Sequence, residues 1–319
     1  MDPSPEREEL LAERAKANGE PVLVYTSGRP EEMDEITSGF TEKYGVQTEV
    51  FRAGGTDLLS RVIQEVQANE PTADVIAAND NVIYGLDAGE GILSPIVSVY
   101  DDAIPDQIVA SPNSVPNYVN YWMFAYNTEL LEEGELPRTY EELLDPRWQG
   151  AISIARYPDW FATLWDILGE EAAEEYFTAL GDQKPFVADQ FTPAIMAVVT
   201  GAQPLTSTTV SGVLAQQQDA GAPLEGYFPD EPTIARSQSS GWVDCGGNPE
   251  GGILFLEYLQ SPEGGQQVYK DANRVPAHED VEPDPPTLRP DEFVRIDYES
   301  YLPEQAEWEQ RFDEMLINQ

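Results

Sequence analysis

VLVYTSGRPEEMDEI, residues 22–36, reads as a strand, a turn and a helix. The unbroken apolar character of VLVYT is typical of a buried parallel strand. Pro30 suits the first position of a helix, and Met33 and Ile36 fall on one face of that helix. Arg29 stands in the polar turn of a chain with 59 acidic and 17 basic residues. The turn therefore raises the question of whether Arg29 meets a ligand or only Glu31 and Glu32.

The same pattern follows twice more. Residues 46–67, VQTEVFRAGGTDLLSRVIQEVQ, and residues 73–89, ADVIAANDNVIYGLDAG, each read as a strand followed by a helix. Three such units in succession predict a doubly wound α/β domain with a parallel sheet. Polar turns follow the carboxyl ends of all three strands, where open parallel sheets bind ligands.

Length and composition indicate a globular protein. A chain of 319 residues predicts two domains, and a hydrophobic content of 41% can supply their cores. No apolar run reaches the ~18 residues that span a bilayer, and no hydrophobic signal-peptide segment is found near the N-terminus. A mature chain would look the same, so the cellular location stays open on this evidence.

The net charge of −42 is the strongest compositional feature. It disfavours nucleic acids and anionic lipids as partners, because phosphates would be repelled. The acidic residues are spread along the chain, and only four lysines occur. This distribution predicts a surface adapted to high salt, where repulsion is screened within ~3 Å at about 1 M. The alternative is an ordinary acidic protein.

The sequence contains few of the residues that commonly carry out catalysis. Cys245 is the single cysteine and His278 the single histidine. These exclude a disulfide framework, a Cys-His or Ser-His-Asp nucleophile and a histidine-rich metal site. We therefore expect no enzymatic activity and no cofactor.

A set of ordered motifs resembles a known family. They include VLVYTSG, GGT, YN, DPRWQG, GAQPLT, AGAP and SPEGGQQVY, between about residues 21 and 276. In this order they resemble the iron(III)-type solute-binding proteins of ABC importers, which have the type II periplasmic-binding-protein fold. The resemblance implies two α/β lobes that close on a ligand by hinge motion.

The resemblance also implies a division of the chain. Residues 1–20 form a charged helix or tail, residues 21–117 and about 236–285 form lobe one, and residues 118–235 and about 286–319 form lobe two. A closing helix from about Leu302 packs on lobe two. The expected partners are a small solute and a membrane permease, and the protein is expected to be a monomer. It is expected outside the cytoplasm, lipid-anchored through a removed N-terminal segment.

Strand-end positions in lobe one supply the first candidate ligand groups. Glycine permits close backbone approach, and helix N-termini favour anions. Helix capping is the alternative role for Ser27, Thr56 and Asn81. The candidates are Ser27, Gly28, Arg29, Gly54, Gly55, Thr56, Asn79 and Asp80.

Lobe two supplies the second group. Its candidates are Arg156, Tyr157, Trp160, Ser207, Thr208 and Thr209. Trp242 and Asp244, in a glycine-rich segment, are weaker candidates. The aromatic residues could equally belong to a core, and the hydroxyls could cap a helix.

The ligand is expected to be an anion and not iron. Iron(III)-binding members of the family use adjacent tyrosines, but the corresponding segment PLTSTTVSG contains none. If iron binds, Tyr157 and Asp80 are the predicted oxygen ligands, and the ferric ion would be cargo. Hydroxyls, glycine amides and arginines instead suit phosphate, phosphonate or carboxylate oxygens. A ligand-binding sensor domain is the remaining alternative.

Overall fold

A computed structural model describes residues 5–70 and 73–318 of the chain. The chain divides into two compact units. Unit 1 comprises Met1–Val119 and Arg236–Pro286, and unit 2 comprises Asn120–Ala235 and Thr287–Gln319. The first four residues of the predicted N-terminal segment lie outside the described residues.

The elements alternate along the chain as α/β units do. The strands are β1 (Val22–Thr26), β2 (Thr48–Arg52), β3 (Val75–Asn79), β4 (Ser114–Tyr121), β5 (Met123–Asn127), β6 (Ile152–Ala155), β7 (Phe186–Ala188), β8 (Leu205–Thr209), β9 (Leu224–Tyr227), β10 (Thr233–Trp242), β11 (Val275–Pro276) and β12 (Phe293–Arg295). The α-helices are α1 (Pro5–Asn18), α2 (Pro30–Tyr44), α3 (Gly55–Gln67), α4 (Asp80–Tyr84), α5 (Pro158–Leu168), α6 (Glu170–Asp182), α7 (Phe191–Val199), α8 (Ser211–Asp219), α9 (Pro249–Gln260), α10 (Gly265–Asp271) and α11 (Tyr298–Leu316).

The sheet of unit 1 has the strand order β11-β4-β10-β3-β1-β2. β1 lies parallel to both β2 and β3, whereas β10 runs antiparallel to β3. β12 pairs with the first three residues of β10, which belong to unit 2. The carboxyl ends of β1, β2 and β3 therefore meet at one edge of the sheet.

The opening strand, turn and helix form as the sequence predicts. β1 is buried at four of its five positions, and α2 begins at Pro30. The buried face of α2 includes Met33, Ile36 and Phe40. Gly45 ends the helix in the left-handed region (φ 67°), where its amide donates to the carbonyl of Thr41.

The N-terminal segment is a helix that is integral to unit 1. Leu11 and Ala15 of α1 are buried in the same core cluster as residues of α9. Arg7, 7% exposed, forms a 3.1 Å ion pair with the equally buried Glu257 of α9. The second carboxylate oxygen of Glu257 accepts a hydrogen bond from the Ser98 hydroxyl at 2.8 Å. The charged composition of this segment concealed its buried stripe.

Unit 2 contains a five-stranded sheet in the order β7-β6-β8-β5-β9. β6 is parallel to β7 and β8, so these three strands also end at one edge. The aromatic core includes Phe161, Trp165 and Phe177, with the last two rings stacked at 5.8 Å. α11 packs on α5 and α6 and begins at Tyr298, four residues before the predicted start.

Candidate functional site

The turn between β1 and α2 is held from two sides. The amide of Gly28 donates to the Thr26 hydroxyl at 2.9 Å, and Nε of Arg52 donates to the Gly28 carbonyl at 2.7 Å. Arg29 is the N-cap residue of α2 and makes no side-chain capping bond. Ser27 is half-buried and does not cap the helix, so the capping role weighed for it is not observed.

Arg29 lies near Glu32 but beyond hydrogen-bond distance. Its guanidinium lies 3.8 Å from Oε1 of Glu32, and the Arg29 side chain is 32% exposed. The same oxygen accepts closer contacts from Arg274, whose Nε and second terminal nitrogen both lie 2.9 Å away. Glu32 and Arg274 are both buried. Glu32 is thus one of the partners that the turn sequence suggested for Arg29, but Arg274 holds it more tightly.

Tyr118 lies among these charges. The Arg274 guanidinium sits 4.7 Å from the centre of the Tyr118 ring, and Arg29 and Arg236 are also close enough to act on its hydroxyl. Burial, and then the neighbouring Arg274, lower the pKa of Arg29 despite the presence of Glu32. In this cluster, defined by Arg29, Glu32, Tyr118, Arg236 and Arg274, three guanidinium groups accompany one carboxylate.

The end of β3 differs from its predicted role. Asp80 is fully buried at the start of α4, and its two oxygens accept hydrogen bonds from the Ser237 amide (2.9 Å) and the Ser239 hydroxyl (2.5 Å). Asp80 therefore joins α4 to β10, which corrects its proposed role as a ligand group. Asn79 is half-buried, is the N-cap residue of α4, and makes no side-chain capping bond.

Gly54, Gly55 and Thr56 form the start of α3. Gly54 is the N-cap residue, so the alternative capping role of Thr56 is not observed. A β-carbon on Gly55 would lie 2.9 Å from a methyl group of Val82, which gives this glycine a packing role. Gly54 and Thr56 are exposed at the sheet edge that carries Arg29.

The hydroxyls of β8 in unit 2 divide into two sets. Thr206 donates to the Ser153 carbonyl at 3.0 Å, and the Thr208 hydroxyl accepts the Ala155 amide at 2.6 Å. These two residues hold β8 to β6. The hydroxyls of Ser207 and Thr209 are buried and have no hydrogen-bond partner among residues 5–70 and 73–318. Thr208 is therefore corrected to a structural role, while Ser207 and Thr209 retain unused hydroxyls.

Two of the three residues predicted after β6 are engaged elsewhere. Arg156 makes a two-pronged ion pair with Asp313 of α11, with distances of 2.7 and 2.9 Å. Trp160 is 1% exposed and packs edge-on against Phe177 in the core of unit 2. Both assignments as ligand groups are corrected, because ion pairing and core packing account for these side chains.

Tyr157 keeps an accessible phenol. Its hydroxyl donates to Oε1 of Gln190 at 2.8 Å, and its ring stacks on Phe191 at 4.1 Å. Both partners follow β7, the strand next to β6. The weaker candidates lie in unit 1, where Trp242 is half-buried against the core and Asp244 is exposed.

Sequence reasoning missed several residues of these edges. Arg52 lies at the carboxyl end of a strand, which is the criterion that selected Arg29. The same criterion could therefore have identified Arg52. Arg236 and Arg274 come from distant parts of the chain, and only the strand order brings them to the end of β1. Tyr118 is the first residue of the predicted lobe two, and its sequence position gives no sign that it lies beside Arg274.

Within residues 5–70 and 73–318, no three or more His, Cys, Asp or Glu side chains are grouped so that they could hold a metal ion. Over the same residues, no helix has the length and apolarity required to cross a bilayer.

Comparison with known proteins identifies the family. A profile of bacterial extracellular solute-binding proteins matches residues 70–301. The chain belongs to this family. This solute-binding protein is 27% identical over 266 residues to "Iron uptake protein A1" of Synechocystis sp., across 75% of this chain and 71% of that protein.

Solved structures show the same fold. A Trichodesmium protein, IdiA (FutA), in complex with iron and citrate, has a TM-score of 0.77 at 24% identity, covering 93% of this chain and 99% of the other. The periplasmic binding protein AfuA of Actinobacillus pleuropneumoniae, with exogenous fructose-6-phosphate bound, has a TM-score of 0.73 at 23% identity, covering 93% and 98%. The predicted type II periplasmic-binding-protein fold and the resemblance to iron(III)-type members are confirmed. As a member of this family, the solute-binding protein is not an enzyme and needs no cofactor.

Proposed function

We propose that this solute-binding protein captures a small anionic solute, bearing phosphate, phosphonate or carboxylate oxygens, for an ABC importer. The observation that carries this proposal is the arginine cluster at the end of β1. Arg29 and Arg274 share the buried carboxylate of Glu32, and Arg236 acts with them on Tyr118, in a chain whose net charge is −42. Planar guanidinium groups match the oxygens of carboxylates and phosphates.

The turn beside the cluster offers further donors. α2 and α3 both begin at this edge without a side-chain cap, so their first amides face the edge unbonded by a capping side chain. Amides at a helix N-terminus favour a bound anion. In unit 2, the buried hydroxyls of Ser207 and Thr209 offer donors that no described residue uses. AfuA, a structural neighbour, carries fructose-6-phosphate, which is a solute of the proposed class.

A thermal-shift panel tests this function. We expect fructose 6-phosphate, inorganic phosphate or 2-aminoethylphosphonate to raise the melting temperature, whereas ferric chloride does not.

Arg29→Ala is expected to weaken binding of the stabilising anion by about 1–3 kcal/mol, measured by calorimetry, because a charge-assisted bond is lost.

Arg14→Ala is the matched control for Arg29→Ala. Arg14 lies on α1 with 49% side-chain exposure and reaches Glu250 only at 3.9 Å. Its removal also changes the net charge by one unit, but it should leave affinity unchanged. Equal affinity in wild type and Arg29→Ala would remove Arg29 from the site, and no stabilisation by any anion would refute the function.

A pair of threonine variants tests the hydroxyls of β8. Thr209→Val removes a hydroxyl without a partner, so stability should stay equal or rise while anion affinity falls roughly tenfold. Thr208→Val leaves the Ala155 amide without its acceptor and should cost about 1–3 kcal/mol of unfolding free energy. Denaturant unfolding and calorimetry separate the two effects. Loss of stability in Thr209→Val with unchanged affinity would assign that hydroxyl to the core.

Ferric ion is the second candidate solute. The similarity to an iron uptake protein favours it, and Tyr157 presents a phenol at the edge of unit 2. Hard Fe³⁺ prefers phenolate and carboxylate oxygen. The hydrogen bonds made by both oxygens of Asp80 remove the predicted carboxylate partner. A red-orange colour on addition of ferric citrate, from tyrosinate charge transfer, would favour iron over an organic anion.

The family supports the remaining proposals. We infer that the protein works outside the cytoplasm with a membrane permease and is held at the membrane by a lipid anchor. Closure by hinge motion and the monomeric state stay predictions. The sensor alternative has no observation of its own in the described part of the chain.

A further inference from the structure

We propose that Arg274 is a positioning residue, which neutralises Glu32 so that Glu32 does not hold Arg29 away from an anionic solute. This inference rests on the proposed function. Its basis is that two arginines share one buried carboxylate oxygen.

Arg274 lies closer than Arg29 to the shared carboxylate oxygen of Glu32. Nε of Arg274 and one of its terminal nitrogens each lie 2.9 Å from Oε1 of Glu32, within hydrogen-bond distance. The nearest terminal nitrogen of Arg29 is 3.8 Å from that oxygen, which is beyond a direct hydrogen bond. Arg274 therefore makes the short contacts with Glu32, and Arg29 keeps a longer electrostatic one.

The pair between Glu32 and Arg274 is fixed by burial. The side chains of Glu32 and Arg274 are 5% and 8% exposed, whereas Arg29 is 32% exposed. The Arg274 guanidinium also lies 4.7 Å from the centre of the buried Tyr118 ring, so it is held on both sides. A buried ion pair of this kind cannot rearrange without leaving a charge uncompensated.

The ion pair between Arg274 and Glu32 determines the charge that Arg29 meets at the end of β1. Without Arg274, the buried carboxylate of Glu32 would have Arg29 as its nearest guanidinium, only three residues along α2. A carboxylate and a solute anion would then compete for Arg29. With Arg274 present, Glu32 is already compensated, and Arg29 is left near a second positive charge instead of a bare negative one.

The proposal is tested by measuring the binding of inorganic phosphate and fructose 6-phosphate to the wild type and to three variants. Arg274→Met should weaken binding by roughly tenfold although Arg29 is intact, because Glu32 then competes for Arg29. Glu32→Gln should bind equally well or more tightly. Arg274→Met/Glu32→Gln should return to within about threefold of wild type. A purely structural role predicts weaker binding in all three variants.

Glu31→Gln is the matched control for charge. Glu31 is exposed on the neighbouring position of α2, and its neutralisation changes the net charge as Glu32→Gln does. Combined with Arg274→Met, Glu31→Gln should restore affinity far less than Glu32→Gln does if the shared contact matters. The two substitutions should restore it equally if only the net charge near Arg29 matters.

A measurement without solute keeps the proposal falsifiable if Arg274→Met folds poorly. Arg29→Ala should barely change the unfolding midpoint in wild type and should lower it clearly in the Arg274→Met background, where Arg29 has become the main partner of Glu32. Equal shifts in both backgrounds, or full affinity in Arg274→Met, would overturn the role of Arg274. Absence of anion binding in wild type would instead refute the proposed function on which this role depends.

Discussion

Lowering the NaCl concentration from 2 M to 0.1 M should reduce the melting temperature of the protein by on the order of 10 °C. The net charge of −42 produces repulsion that folding concentrates. On α6, Glu170, Glu171, Glu174 and Glu175 are all exposed within six residues, so like charges stand four residues apart. Such pairs destabilise a helix. The Debye length grows from ~3 Å at 1 M to ~10 Å at 0.1 M, which restores these repulsions.

Different salts separate screening from general salting-out. Calorimetric scans in NaCl, KCl and Na₂SO₄ at matched ionic strength should give similar gains that level off by about 1 M. A gain that appears only at higher concentration, and mainly in sulfate, would come from exclusion of the salt from the protein surface. That result would contradict the prediction of a salt-adapted surface.

Arg7→Met should destabilise the protein by about 3–5 kcal/mol at neutral pH, because it leaves the buried carboxylate of Glu257 without its cation. Methionine retains the apolar volume, so the packing of α1 on α9 should persist. Urea unfolding measures the change. Arg14→Met in the same helix is the control, since its exposed contact at 3.9 Å should cost under ~1 kcal/mol.

The pH dependence of Arg7→Met follows from Glu257. Burial raises the pKa of this carboxyl above its usual value of 4.5, against the lowering effects of the Ser98 hydroxyl, the Val99 amide and Arg7. Removal of Arg7 raises that pKa further. A raised pKa in the folded state means that stability is present at low pH and is lost as pH rises through the folded pKa. The deficit should therefore shrink from pH 8 towards pH 5, and an unchanged deficit would assign the loss to packing.

Local patterns predicted most of the fold. The strand, turn and helix at residues 22–36 form as expected because the apolar run, Pro30 and the spacing of Met33 and Ile36 are all local signals. The predicted start of α11, about Leu302, lies four residues after the observed start at Tyr298, and Pro303 is accommodated within the first turns of the helix. The charged sequence of α1 is compatible with either a helix or a tail, because only Leu11 and Ala15 mark its buried face.

The site was predictable only in part. Strand ends locate Arg29, Tyr157, Ser207 and Thr209, because position along the chain determines them. Which side chains remain available depends on partners that are distant in sequence. Asp313 lies 157 residues from Arg156, and Arg274 lies 242 residues from Glu32. No local pattern contains those pairings, so Arg156 was assigned to the ligand and Arg274 was missed.

The alternation along β8 has a consequence for altering what the protein carries. Thr206 and Thr208 hold the strand to β6, whereas Ser207 and Thr209 make no bond whose loss would weaken unit 2. Both side chains are buried, so replacements close to them in size should cost folding little. We expect a small combinatorial library confined to residues 207 and 209 to change cargo preference on an unaltered scaffold.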